Sequence, residues 1–271
     1  MGRPLGKIAY ENHGRVVLVT GVAGGIGWAI AEEFAASGAT VFGLDVGAPP
    51  AANSRISVLP VDVSDRLAVE TAVQQILAQV DGIDVVVNNA AIQPVASFRP
   101  LHEIEPELLE QMLRVNVGGY NWVARSVLPQ MIRQQSGVIV NLASAHAWRS
   151  SRDVPGYGPT KAANRMQAVQ WALDYARQGI RVISVSPGAI DTPLVRASLE
   201  QQGGEGALAN RHPLGRLGKP QEIAAAVLWL ASPGASFVTA TDLEVDGGLG
   251  GLGSFADPYE MPARFRIDRD K

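Results

Sequence analysis

Two short runs, VVLVT at 16–20 and IDVVVNN at 83–89, are apolar at consecutive positions where a half-exposed strand would alternate. A strand carries that pattern when both faces of its sheet are covered, which is the situation of a parallel sheet whose crossovers are helices. Five further runs fit the same plan: VFGLD (41–45), ISVLPVD (56–62), GVIVNLAS (137–144), RVISVS (181–186) and DLEVD (242–246). Stretches of helical period separate them, so the alternation predicts seven strands in one parallel sheet.

The expected class is α/β: a single-domain Rossmann fold with a doubly wound, seven-stranded parallel sheet and helices on both faces. One domain over 1–271 suits α/β chains, which at about 250 residues often form a single unit. Ser64 is placed to cap a helix from Asp65, Pro106 suits the first turn of a long helix, and Pro220 starts another that stops at Pro233. Gly38 and Gly179 fall where helices end. Residues 188–218, rich in Gly and Pro, break the rhythm where a lid over the substrate can lie, and 249–271 form a C-terminal tail.

Composition removes several classes of function. A net charge of −3 with no run of Lys and Arg gives no footprint for nucleic acid. The absence of cysteine excludes disulfides and thiolate metal sites, and no metal is expected. The longest apolar stretch, 223–231, is too short to span a bilayer, and the first residues lack the apolar core of a signal peptide. The expectation is a soluble, cytoplasmic protein with no membrane partner.

After the first strand comes TGVAGGIG, with Gly21, Gly25 and Gly27 spaced so that backbone can turn tightly and approach a pyrophosphate. The helix running on from Ile26 turns its free N–H groups and positive dipole end toward that phosphate. A tight strand-to-helix turn alone also wants glycine, but the position between strand and helix favours a dinucleotide. Asp45, twenty residues beyond Gly25, ends the second strand where a carboxylate can accept from ribose hydroxyls and repel a 2′-phosphate. No Lys or Arg lies between Thr20 and Asp45 to offset that repulsion, so NAD is expected over NADP.

In YGPTK, Tyr157 and Lys161 stand at i and i+4 on one helical face. An ammonium beside a phenol stabilises the phenolate and lowers its pKa, which would make Tyr157 usable for proton transfer near neutrality. The pair alone reads more readily as a Tyr and a Lys on an exposed helix face. With TGVAGGIG, Asp45, the NNA run ending at Ala90, and Ser144 thirteen residues before Tyr157, the chain from about 14 to 248 resembles the classical short-chain dehydrogenase/reductase family.

That resemblance implies an enzyme moving a hydride between nicotinamide and a secondary alcohol or ketone. Its catalytic residues would be Asn116, Ser144, Tyr157 and Lys161. Ser144 would hydrogen-bond the reacting oxygen, Lys161 would bind the nicotinamide ribose and join a proton relay, and Asn116, in a kinked helix, would hold the relay water. Asp62 and Val63 look like adenine contacts, and Asn88 like the residue bracing sheet and cofactor. In SPGAIDT, Pro187, Gly188, Ile190 and Thr192 resemble the strip holding the carboxamide end of nicotinamide; without the family, Pro187 and Gly188 read as a turn and Thr192 as a helix cap. Ala91 and Ala143 depart from the family pattern without removing a catalytic atom. The resemblance also implies a homotetramer built on the long helices near 106–133 and 154–177.

Substrate choice is expected in Ile92–Phe98, His146–Val154 and 188–218, with Gln93, His146 and Trp148 as polar handles and a sugar or polyol as the favoured substrate. One alternative is a 3-oxoacyl carrier-protein reductase, against which Gln135 and Gln178 stand where docking arginines would be, with Arg133 and Arg177 close by. A second is a non-catalytic NAD-binding redox sensor, which would have no need of Asn116, Ser144, Tyr157 and Lys161 together.

Overall fold

The computed structural model describes residues 8–252. In chain order it contains β1 (Val16–Thr20), α1 (Gly25–Ala36), β2 (Thr40–Asp45), β3 (Ile56–Pro60), α2 (Arg66–Leu77), β4 (Val85–Asn88), α3 (Pro106–Met112), α4 (Gly119–Gln134), β5 (Gly137–Leu142), α5 (Tyr157–Tyr175), β6 (Ile180–Pro187), α6 (Pro193–Ala197), α7 (Glu205–Asn210), α8 (Pro220–Ala231) and β7 (Asp242–Val245). The seven strands form one sheet in the order β3-β2-β1-β4-β5-β6-β7, and every neighbouring pair is parallel.

The consecutive apolar residues serve two cores. Val17 and Val19 of β1, with Val85 and Val87 of β4, pack toward Phe34 of α1 and Val227 of α8. Leu18 and Val86, one residue out of phase, pack on the other face toward Val73 of α2, Val127 of α4 and Ala168 of α5. Each such side chain removed from water contributes about 1.5–3 kcal/mol, which is why no polar residue interrupts these runs. Strand order reverses at the β1–β4 pair, so the helices diverge there and a crevice opens at the carboxyl ends of those strands.

Pro106 and Pro220 begin α3 and α8 as expected, and Gly38 and Gly179 take φ of +102° and +75° just past helix ends. The cap of α2 differs from the sequence expectation. Asp65, not Ser64, is the N-cap, its carboxylate accepting from the backbone N–H of Leu67 and Ala68 at 2.9 and 3.1 Å. Ser64 instead donates its backbone N–H to Asp62.

The long helix is continuous but not uniform: Leu113–Gly118, between α3 and α4, is π-helical. A π turn inserts an extra residue and rotates the following side chains, frequently at functional positions. Residues 188–218 carry α6 and α7 and are tied at their two ends by a bridge between Ile190 and Gly218. The described tail ends in a single turn, Leu249–Gly251. The rest of the expected tail, 253–271, lies outside the described residues.

Candidate active site

The crevice at the strand reversal is a cleft of about 330 Å³. Its upper rim is the glycine turn. Gly21 takes φ +74°, and a Cβ there would lie 2.7 Å from the Asn89 side chain; a Cβ on Gly27 would lie 2.0 Å from the Gly21 carbonyl oxygen. Glycine at 21 and 27 therefore lets strand, turn and helix close on one another. The N-terminus of α1 has no side-chain cap, so its first N–H groups remain free to meet an anion in the cleft.

Asp45 stands on the wall. Its carboxylate accepts from the backbone N–H of Ala23 and of Gly47, each at 2.8 Å, which ties the end of β2 to the glycine turn. Two oxygens offer about four acceptor sites, so two remain for ribose hydroxyls. Apart from Lys161 at the far end, the cleft lining contains no Lys or Arg among the described residues. The open glycine cradle, the free helix N-terminus and this acceptor suit a dinucleotide with a pyrophosphate and a ribose.

Ser144, Tyr157 and Lys161 meet on the floor. Ser144 follows β5, and its hydroxyl is hydrogen-bonded to the hydroxyl of Tyr157, which begins α5. Tyr157 is half-buried, and the crowding that buries it raises its pKa to about 12, with the Ser144 hydrogen bond acting in the opposite direction. Lys161 is 2% exposed, and burial pushes its pKa down to about 7. Its Nζ lies 5.7 Å from the Tyr157 ring centre and donates to the Leu142 carbonyl at 2.7 Å and the Tyr120 hydroxyl at 3.3 Å. The expectation that Lys161 lowers the Tyr157 pKa is therefore not met in the protein alone: desolvation of the phenol outweighs the cation, whose donors engage other partners.

Asn116 lies in the π-helical turn, fully buried. Its side chain accepts from the Ile92 N–H at 2.8 Å and donates to the Ile92 carbonyl at 3.0 Å, anchoring the loop after β4 to this helix. Its own carbonyl accepts from Asn164 at 2.7 Å.

Most sequence-selected residues line the cleft: Gly21, Gly25, Ile26, Asp45, Ala90 and Pro187, with Gly188, Ile190 and Thr192 following. Thr192 also caps α6, its hydroxyl accepting from the Val195 N–H at 3.3 Å, as the helix-cap reading expects. Asn88 does not reach the cleft. It points into the sheet and donates to Asn141 at 2.9 Å, while its neighbour Asn89 lines the cleft and ties β4 to β1 through the Thr20 and Gly21 carbonyls. Asp62 and Val63 lie outside the lining too, Asp62 exposed at the end of β3 and Val63 packed near Gly119. Gln93 and His146 line a second cavity that also contacts Tyr157. Trp148 does not; its ring packs where a Cβ on Gly250 would be, against the described start of the tail. Sequence reasoning missed Asn89 and Tyr120, the latter one turn beyond Asn116 and so open to discovery by helical spacing.

Among the described residues no helix is long and apolar enough to cross a membrane, and no group of three or more His, Cys, Asp or Glu could hold a metal ion.

A family model described as enoyl-(acyl carrier protein) reductase matches residues 21–250. The 3-oxoacyl-(acyl-carrier-protein) reductase of Thermotoga maritima is 35% identical over 249 residues, covering 87% of this chain and 98% of that protein. Among solved structures, the aldohexose dehydrogenase of Thermoplasma acidophilum in ligand-free form matches with a TM-score of 0.85 and 34% identity, over 91% of this chain and 98% of its own. A gluconate 5-dehydrogenase from Burkholderia cenocepacia, in complex with NADP and tartrate, matches with a TM-score of 0.82 and 31% identity, over 90% and 98%. A parallel sheet reversed at a glycine-rimmed cleft, with Ser144, Tyr157 and Lys161 on its floor, together with these likenesses, makes this chain a member of the short-chain dehydrogenase/reductase family, oxidoreductases of alcohols and ketones.

Proposed function

We propose that the protein is an NAD-dependent dehydrogenase that oxidises a secondary alcohol of a sugar or polyol. The observation that carries this reading is the convergence of Ser144, Tyr157 and Lys161 at the end of a cleft whose other end holds Asp45. Bound nicotinamide would supply the hydride acceptor for oxidation and the donor for reduction. Tyr157 exchanges the proton of the reacting oxygen, and Ser144 holds that oxygen through its hydroxyl while charge on it changes. Lys161 holds the cofactor ribose and, with Asn116, connects Tyr157 to solvent for the proton. With the Tyr157 pKa near 12 in the protein alone, its resting form is the phenol. An oxidised nicotinamide, when bound, would supply positive charge that favours the Tyr157 phenolate needed for oxidation.

Asp45 and the cation-free lining around it favour NAD. The aldohexose and gluconate dehydrogenases above lend weight to a polyhydroxylated substrate. The likeness to the Thermotoga reductase favours a second reading, reduction of a 3-oxoacyl thioester on a carrier protein. Against it, Gln135 is uncharged and bonded to its own helix at the Ile132 carbonyl, and Gln178 is likewise no cation. The same reading assigns a homotetramer: Leu113 on the π-helical turn and Met166 and Leu173 on α5 are 54%, 64% and 70% exposed, apolar surface that association would cover.

The test is formation of reduced nicotinamide, followed by absorbance, with sugars, polyols, hydroxy acids and a 3-hydroxyacyl thioester, each with NAD and NADP. Turnover confined to the thioester would replace this reading with the alternative, and turnover confined to NADP would overturn the cofactor assignment.

A further inference from the structure

Past the Tyr157 hydroxyl the cleft opens into a second cavity of about 240 Å³, walled by the segment after β5 and by residues of the 188–218 segment. Although the chain carries a net charge of −3, this cavity is lined by no Asp or Glu among the described residues. Its charged lining consists of Arg149 and Arg211, joined by the imidazoles of His146 and His212. The histidines differ. His212 is 2% exposed and its tautomer is fixed: Nε2 accepts from the Ala189 N–H at 3.0 Å, so Nδ1 donates to the Leu208 carbonyl at 3.0 Å. It is a neutral structural pin. His146 has a buried Nδ1 with no partner among the described residues, and its ring lies edge-on to Tyr157 at 6.0 Å.

The arginines differ as well. Arg149 stacks over Trp148 at 5.4 Å, donates to the Leu252 carbonyl, and shares its charge with Glu244. Arg211 donates one N–H to the Gln202 carbonyl at 2.9 Å, and no carboxylate among the described residues pairs with it. Four of its five donors stay available, in the planar fork that suits a carboxylate. Its charge is also felt at His146, where, after burial, it disfavours the imidazolium. A free guanidinium and an unpartnered imidazole nitrogen thus share one small cavity with the Tyr157 phenol, and Gln93, Ser198 and Gln202 add hydroxyl-binding groups.

We propose that the substrate is a hydroxy acid whose carbinol carbon faces Tyr157 and whose carboxylate is bound by Arg211, with His146 donating to the same anion or to a neighbouring hydroxyl. This deepens the dehydrogenase reading and rests on it. The carboxylate is a handle only: the bond changes remain loss of hydride from the carbinol carbon to NAD and of the hydroxyl proton to Tyr157, giving a keto acid, NADH and one proton.

The test compares anionic and neutral partners of equal size, gluconate beside glucitol and glycerate beside glycerol. It measures turnover with NAD, and also binding to the NADH-saturated protein by calorimetry. Because Arg211 is exposed, the expected advantage of each acid is about five- to tenfold in kcat/KM and in affinity, shrinking as salt rises. Arg211→Gln removes most of it through KM, Arg211→Glu reverses it, and Arg211→Lys restores part. Equal treatment of acid and polyol, including binding of neither, or an advantage that survives Arg211→Gln, overturns the anion site. Turnover of both without preference overturns that site and leaves the dehydrogenase standing; Arg211-dependent binding without turnover of any alcohol does the reverse.

Discussion

Lys161 donates from Nζ to the carbonyl of Leu142 at 2.7 Å, joining the helix that carries Tyr157 to the last residue of the strand that leads to Ser144. The bond fixes α5 against β5 at the point where the two reacting hydroxyls must meet, and Tyr120 supports it by donating to the same carbonyl at 2.9 Å. The ammonium is held by one carbonyl and one phenol with no carboxylate beside it among the described residues, and burial is the cause that lowers its pKa.

A pH dependence follows. The folded-state pKa of Lys161, about 7, lies below its ordinary 10.5. Between those values the unfolded chain binds a proton that the folded one does not, so this group's contribution makes stability rise with pH across the window and fall as pH drops toward 7; below 7 it is level. The slope cannot exceed about 1.4 kcal/mol per pH unit for one proton. Urea unfolding of wild type and Lys161→Met from pH 7 to 9.5 should show wild type gaining on the variant throughout. A gap independent of pH would mean that Lys161 keeps its ordinary basicity in the fold.

Tyr157→Phe removes only the hydroxyl bonded to Ser144. Turnover should fall by on the order of 10²–10⁴, while NADH affinity, read by fluorescence titration, stays within a factor of a few. Near-normal turnover would assign the proton transfer to another group.

How far the sequence carried depended on the kind of constraint. The seven strands were legible because VVLV and DVVV must be apolar on both faces, a constraint visible in the residues themselves. Strand ends were less so: IDVVVNN reads as one run, yet Asn89 leaves the strand to bond the Thr20 and Gly21 carbonyls, and that partner is sixty-nine positions away for Thr20. The same loss of long-range information placed Asn88, not Asn89, beside the cofactor. Trp148 looked like a pocket residue because it follows the right strand, and only packing against Gly250 shows that it faces elsewhere. The Tyr157–Lys161 spacing was correct, but spacing carries no burial, and burial decides both pKa directions.

Asp45 should set cofactor choice. Its two remaining acceptor sites suit ribose hydroxyls, and its charge faces no Lys or Arg in that part of the cleft. The unmodified enzyme should favour NAD over NADP by at least about tenfold in kcat/KM, roughly 1.4 kcal/mol. Asp45→Ala should relax the preference, and Asp45→Asn should do so while keeping an acceptor for the Ala23 N–H. Equal use of both cofactors by the unmodified enzyme would remove Asp45 from the discrimination.

The glycine turn supplies a test that needs no substrate. A Cβ on Gly27 would sit 2.0 Å from the Gly21 carbonyl oxygen, which is backbone and cannot swing aside, so Gly27→Ala must push α1 away from β1. Overpacking of that kind costs about 1–3 kcal/mol, and it displaces the helix N-terminus proposed to meet the pyrophosphate. At Gly24, three residues earlier in the same turn, a Cβ meets nothing within 4 Å and the backbone is extended at φ 162°, so alanine is tolerated by the fold. Gly27→Ala should therefore lower both the melting temperature and NADH affinity, whereas Gly24→Ala should leave the melting temperature of the protein without cofactor within about 1 °C, as surface substitutions usually do. A loss of affinity in Gly24→Ala at unchanged stability would locate the pyrophosphate against that N–H. Equal melting temperatures for the two variants would show that α1 does not press on β1 through Gly27.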